Sequence, residues 1–232
     1  MNYLVDNITY LLDRAKSGPE SLNTLGLSAD PSELVNGASD LSPNDLIKIA
    51  NHFNFSIDLM LKRDLGQMAE VSAKEIKLLV LDIDGVMSDG GMFVTDAGDE
   101  LKRFDTRDGI AIRRLTKKGF QVGIISSGYL VNLIMQRADL LGIQHVHTGS
   151  DPKLETLQGW SKEMNIPMAN IAFIGDDLND KAVMEAVGLG ICPADAMDPI
   201  KEIADLIMTK EGGRGCIREF VDLYLTDNPL DH

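Results

Sequence analysis

Asp82 and Asp84 stand two residues apart where the apolar run Leu79-Val80-Leu81 meets Gly85, and three more polar signals follow in chain order. Ser126-Ser127-Gly128 closes a second apolar run, Lys153 opens a helical stretch, and Gly175-Asp176-Asp177-Leu178-Asn179-Asp180 closes another run with a carboxylate cluster. Oxygen-only donors of this kind suit Mg2+, which takes a few carboxylates and keeps its other positions for water and substrate phosphate. Asp82 and Asp176, each at the end of a strand, are the expected ligands. With a cation screening it, the Asp82 carboxylate can attack phosphorus and become an aspartyl-phosphate. Ser127 and Lys153 would hold the transferring oxygens, the main requirement of phosphoryl transfer. Asp84 is placed to protonate the leaving alkoxide and then to deprotonate the attacking water. Acids in turns often do no more than accept backbone hydrogen bonds. Clustered like charges are costly without a cation, however, and four signals in this order fit a site better than four unrelated turns.

The elements that must position these groups begin near residue 76. Short apolar runs at 76–81, 121–126, 144–148, 170–174, 188–192 and 205–208 read as strands, and helical periodicity fills 110–118, 130–141, 153–164 and 181–187. This alternation predicts an α/β fold, Rossmann-like, with a mostly parallel sheet and helices on both faces. Its site belongs at the carboxyl ends of the strands. Residues 90–104 interrupt the scheme: Gly91-Met92-Phe93-Val94 and Leu101-Lys102-Arg103-Phe104 flank Ala97-Gly98 and predict a protruding β-hairpin.

Residues 1–66 read differently, as a small all-α domain. Leu4, Ile8, Leu11 and Leu12 form an apolar stripe at helical spacing. Ser42-Pro43 opens a helix that puts Leu46, Ile47, Ile49, Ala50 and Phe53 into a core, and Ser56 caps a last helix carrying Leu59, Met60 and Leu61. Residues 67–75 are small and polar and read as a linker, which leaves 76–232 for the α/β domain. The stretch 41–65 resembles the C-terminal half of the Cro/repressor-type helix-turn-helix family, and the resemblance extends over 3–65. It implies that 21–36 would face DNA. The recognition segment 29–37 carries Asp30 and Glu33 and no Lys, Arg or Gln, and residues 1–66 hold five basic against nine acidic side chains. DNA contact needs the opposite sign, so the expected role is self-association or partner contact.

The whole chain of 232 residues carries a formal net charge of −14, which argues against affinity for nucleic acid or anionic membranes. A phosphorylated substrate would then have to be neutralised locally. Cys192 and Cys216 are not at metal-ligand or redox spacing, and the first residues lack a basic segment and a long apolar run. A cytoplasmic protein without a membrane span is the expectation.

The four acidic, hydroxyl and lysine signals match the signatures of the haloacid dehalogenase superfamily. The longer runs Asp84-Gly85-Val86-Met87-Ser88-Asp89-Gly90, Phe104-x-x-Arg107-Asp108-Gly109 and Gly212-Gly213-Arg214-Gly215-Cys216-Ile217-Arg218-Glu219 resemble its capless subfamily, which acts on 3-deoxy-D-manno-octulosonate 8-phosphate and on nonulosonate 9-phosphates. The resemblance covers residues 76–225. It implies a Mg2+-dependent phosphatase with Asp82 as nucleophile, Asp84 as acid and base, and a metal set of Asp82, Asp84 and Asp176 backed by Asp177 and Asp180. It implies substrate contacts at Gly128, Arg107 and Arg214, and a homotetramer in which a neighbour's hairpin and tail close the site. Arg107-Asp108-Gly109 and Arg214 favour the octulosonate branch. One departure stands out: the family commonly follows its second-motif Thr-Gly with a charged residue, and here Ser127-Gly128 is followed by Tyr129-Leu130.

Other motifs carry less. His145 and His147 share a strand face but have no third ligand at suitable spacing. Gly188-Leu189-Gly190 lacks the third glycine of a dinucleotide turn. The glycines at 212–215 read as a flexible tail or as the start of a helix. A receiver domain also uses paired acids, a hydroxyl and a lysine, but lacks an acid two residues after the phosphorylated one, so Asp84 favours the enzyme. A regulator with a phosphatase-like sensing half is the remaining alternative.

Overall fold

The computed structural model describes residues 3–37, 40–96, 98 and 100–226. Ala97 of the expected hairpin turn and residues 227–232 of the expected tail lie outside them. The chain divides after Ala73 into two compact units.

In the first unit α1 (Leu4–Arg14) buries Ile8, Leu11 and Leu12 of the stripe read from the sequence, while Leu4 at its start is half-buried. Asn7 lies in the same interior. Its amide donates to the carbonyls of Met60 (2.9 Å) and Arg63 (2.6 Å) and accepts from Leu65 N (2.8 Å), tying α1 to the following helices. Ser42 caps α3 (Pro43–Phe53) and Ser56 caps α4 (Ile57–Lys62), each accepting from a backbone N–H at the third helical position. Two expectations change. Ile47 stands on the solvent side of α3 instead of in the core, because Ile49 and Ala50 occupy the buried face. The stretch read as a linker is helical through Ala73: α5 (Leu65–Ala73) buries Leu65, Met68 and Val71 at helical spacing. The segment expected to face DNA holds a 3-10 turn (Pro19–Leu25) and a single-turn α2 (Pro31–Leu34). Left-handed Gly26 ends the first, and Pro31 with the Asp30 cap confines the second.

The second unit is a six-stranded sheet in the order β5-β4-β1-β6-β7-β8, parallel throughout. Its strands are β1 (Leu78–Leu81), β4 (Gln121–Ser126), β5 (His145–Thr148), β6 (Ile171–Ile174), β7 (Leu189–Cys192) and β8 (Leu206–Ile207). Helices α6 (Thr106–Lys117), α7 (Val131–Leu141), α8 (Lys153–Glu163), α9 (Lys181–Met184) and α10 (Asp198–Lys201) connect them. β1 and β6 are buried at every position, as continuous apolar runs require when both sheet faces are covered. The hairpin is short, with β2 (Phe93–Val94) antiparallel to β3 (Glu100–Leu101) and a single bridge from Ser88 to Phe104 at its base.

The glycine-rich segment 212–215 is not a loose tail. Gly212 N donates to Asp195 Oδ1 (2.9 Å) and Gly213 N to the Val86 carbonyl (2.8 Å). Asp108, buried in the first turn of α6, accepts from Gly215 N (3.1 Å) and Arg218 N (2.7 Å). These bonds seat α11 (Cys216–Phe220), whose Cys216, Ile217 and Phe220 are fully buried. Apolar spacing after the glycines, not chain position, decided the outcome.

Candidate active site

Strand register brings the acidic groups together. Leu81 of β1 lies opposite Ile174 of β6 and Ile124 of β4. Asp82 therefore leaves β1 one residue past its last pair, with its N–H donating to the Ile174 carbonyl (3.1 Å). Asp176 follows two residues after Ile174 on the adjacent strand, and Ser127 follows directly after β4. Strands β4 and β5 add on one side of β1, and β6, β7 and β8 on the other. The crevice at such a reversal is where open parallel sheets bind ligands.

Lys153, the first residue of α8, is buried with its Nζ 2.9 Å from Asp82 Oδ1 and 2.7 Å from Asp180 Oδ1. Asp180 Oδ2 accepts from Asp176 N (3.0 Å), so Asp180 fixes both the lysine and the loop that carries Asp176. Asp177 accepts from Leu178 N (2.6 Å) and caps the turn that follows. Asp82, Asp176 and Asp180 each place a carboxylate oxygen within 4.8 Å of the others. One ammonium faces three carboxylates here. Burial, then the charge of Asp180, raises the Asp82 carboxyl to about 7 against the opposing pull of Lys153. Burial, then Asp82 and Asp180, raises Asp176 to about 8. Burial works to lower Lys153, but Asp82 and Asp180 override it and leave the ammonium stabilised.

The donor set fits Mg2+. It is oxygen only, carries excess negative charge, and contains a buried Asp176 Oδ1 without a hydrogen-bond partner. Gly85 sits in the left-handed region (φ 82°), and a Cβ there would lie 1.9 Å from Asp176 Oδ2. Only glycine lets the loop after β1 pass this close to the carboxylate.

The Asp84 carboxylate is not among the three that meet here, and the Asp180 carboxylate, expected behind them, is. Beyond Asp82 the backbone leaves the strand through left-handed Gly85, and Asp84 ends beside the hairpin. Its Oδ1 accepts from Lys102 Nζ (2.5 Å) and Ser88 Oγ (3.3 Å). A Cβ on Gly128 would stand 3.6 Å from Asp84 Oδ2, so the second oxygen faces the loop after β4. Ser126 Oγ accepts from Gly128 N (3.0 Å) and shapes that loop, while Ser127 Oγ accepts from Asn179 Nδ2 (3.3 Å). Arg107 bonds Asp105 (2.7 Å) and the Arg214 carbonyl (3.0 Å), and the Arg214 guanidinium pairs with Glu211 (3.1 Å). Both guanidinium groups are exposed. A cavity of about 370 Å³ between the hairpin and the start of α7 is lined by Glu100, Tyr129 and Leu130 among others. His145 and His147 lie on the edge strand β5, with His145 against the Trp160 ring at 5.6 Å. Sequence reasoning missed Lys102 and Asn179. A lysine in an amphipathic hairpin normally reads as solvated, and no spacing rule links it to Asp84.

Residues 146–218 match the family model described as haloacid dehalogenase-like hydrolase. The chain is 42% identical over 159 residues to the 3-deoxy-D-manno-octulosonate 8-phosphate phosphatase of Escherichia coli B, covering 68% of this chain and 84% of that protein. The crystal structure of the Yersinia pestis phosphatase of the same name superposes with a TM-score of 0.65 at 38% identity, over 68% of this chain and 85% of that one. The Moraxella catarrhalis phosphatase, solved with magnesium, phosphate and KDO, superposes with a TM-score of 0.66 at 34% identity, over 69% of this chain and 91% of that one.

Proposed function

The chain belongs to the haloacid dehalogenase-like hydrolases and is a magnesium-dependent phosphatase of a sugar-acid phosphate; we propose that its substrate is 3-deoxy-D-manno-octulosonate 8-phosphate and that Asp82 is its nucleophile. The observation that carries the residue assignment is the Asp82–Lys153–Asp180 contact beside Asp176, at the sheet edge where β1 and β6 meet. Mg2+, held by Asp82 and Asp176, supplies charge neutralisation of the phosphoryl oxygens and of the carboxylates themselves.

In the proposed reaction an Asp82 oxygen forms a bond to phosphorus while the bond from phosphorus to the sugar oxygen breaks, its electron pair leaving with the oxygen. Asp84 passes that oxygen a proton. Water then loses a proton to Asp84, attacks the aspartyl-phosphate and releases phosphate, restoring the Asp82 carboxylate. Lys153 holds Asp82 in one rotamer and neutralises charge next to it, and Ser127, oriented by Asn179, hydrogen-bonds a phosphoryl oxygen. Gly128 contributes room beside Asp84, since its N–H is already given to Ser126. Arg107 and Arg214, adjacent and exposed, are assigned to the carboxylate of the sugar acid.

We further infer a homotetramer. The hairpin presents Met92, Phe93, Val94 and Leu101 to solvent, an apolar group that a neighbouring copy would cover. Among the described residues no helix is long and apolar enough to cross a membrane. A cytoplasmic location is supported by the buried, unpaired thiols of Cys192 and Cys216. The helical unit is assigned to contact with another protein or another copy, not to DNA. Release of phosphate from a panel of sugar phosphates, with and without Mg2+, tests the substrate. The octulosonate 8-phosphate should give the highest kcat/KM. Preference for a nonulosonate 9-phosphate would move the chain to the neighbouring branch.

A further inference from the structure

We propose that Lys102 is a positioning residue for the reaction, and that it makes the hairpin part of the catalytic apparatus by deciding which oxygen of Asp84 exchanges the proton. The inference rests on Asp84 acting as acid and base.

Lys102 follows directly after β3, in a hairpin whose Met92, Phe93, Val94 and Leu101 face solvent. Its side chain is nevertheless only 4% exposed. Burying an ammonium is costly unless its charge is paired. Two carboxylates meet it: Asp84 Oδ1 at 2.5 Å and Glu100 Oε1 at 3.3 Å. Glu100 pairs with Val94 across the hairpin, so the β2–β3 register fixes one anchor of the lysine and Asp84 is the other.

The contact divides the labour between the two oxygens of Asp84. Oδ1 is committed to Lys102 Nζ and to Ser88 Oγ at 3.3 Å. Oδ2 is turned towards Gly128, on the loop that carries Ser127, and is the oxygen available to the leaving group and the water. An unanchored aspartate would rotate about χ1 and χ2, and a proton donor acts only within hydrogen-bond reach of the leaving oxygen. Ser88 has one hydroxyl proton, which the Ile83 carbonyl at 3.2 Å competes for, and cannot hold the carboxylate alone.

This role has a signature that a general structural role lacks. Breaking the bond to a sugar alkoxide requires a proton from Asp84, whereas p-nitrophenolate departs without one. Both substrates need Asp82, Lys153 and Mg2+ equally. Lys102→Met keeps the length of the side chain and removes its charge. With folding verified by circular dichroism, it should lower kcat on the sugar-acid phosphate by about 10²-fold, the lower end of what a general acid contributes. On p-nitrophenyl phosphate the burst of p-nitrophenolate, which reads phosphoryl transfer alone, should change in rate by less than about threefold, because that step needs little acid catalysis; the water step, which uses Asp84 with either substrate, should slow equally on both. Lys102→Arg should recover part of the loss on the sugar substrate. An equal loss in the phosphoryl-transfer step on both substrates, or no loss on either, would overturn the inference while leaving the phosphatase assignment intact. Wild-type protein without Mg2+-dependent turnover of either substrate would overturn both.

Discussion

Without metal, the folded protein should lose stability as the pH rises from about 6 to about 8, and Asp176→Asn should remove the larger part of that loss. In the folded state Asp82 and Asp176 hold protons up to about 7 and about 8, because both are buried beside other carboxylates. In the unfolded chain both ionise near 3.8. Between those values the folded state binds more protons, so its stability falls as pH rises, by about 1.4 kcal/mol per pH unit for each proton. Ionising one carboxylate holds the proton on its neighbour, so one proton is the appropriate count. Two pH units then remove about 3 kcal/mol, or about 6–12 °C in midpoint for a chain of this size. Asp108, raised by burial to about 6, contributes in the same direction at lower pH and is largely excluded by this window. Mg2+ binds the ionised carboxylates, so saturating metal should stabilise the protein more at pH 8 than at pH 6. Asp176→Asn leaves Asp82 raised by its burial and by Asp180, so only a shallower fall centred near pH 7 remains. This variant should melt above wild type at pH 8 in chelator and gain little from Mg2+. Differential scanning calorimetry with EDTA or with Mg2+ at the two pH values reads all of these quantities. A wild-type midpoint that is flat or rising from pH 6 to 8 in EDTA, or a variant that keeps the wild-type slope, would refute the reasoning.

Asp82→Asn removes the proposed nucleophile, and kcat should fall by at least about 10³-fold in phosphate-release assays, with the fold retained by circular dichroism. Gly212→Ala would set a Cβ 1.8 Å from the Gly85 carbonyl oxygen, a backbone obstacle that cannot rotate away. Urea unfolding should show a loss of more than about 3 kcal/mol, and the displaced Gly85 should weaken the response to Mg2+. Phe93→Glu with Leu101→Glu places charge on the apolar face of the hairpin, and light scattering should report dissociation to smaller species. Removing residues 1–73 should leave kcat within about twofold, since every side chain assigned to the reaction lies in the second unit; salt-sensitive DNA binding by the full chain would reinstate the regulator alternative.

Much of the site was legible because the period-2 and period-3.6 patterns place strand ends, and parallel sheets put chemistry at those ends. Asp82, Ser127 and Asp176 needed only that rule, Lys153 was read from the start of a helix, and the structure brings Asp82, Lys153 and Asp176 to one place. Caps were equally local: Ser42 and Ser56 begin helices because each side chain reaches a free N–H three residues on. The sequence could not say which carboxylates meet, since Asp82, Asp84, Asp176, Asp177 and Asp180 are chemically alike. Strand register, Gly85 and the Lys153 contact sort them, sending Asp180 inward and Asp84 to the hairpin. Helix α5 was hidden because three buried residues in a polar stretch gain their stability from α1, not from their own neighbours. The same holds for Lys102. Nothing local distinguishes a solvated lysine from one whose charge is spent on an aspartate 18 residues away, and only the folded chain brings that partner within reach.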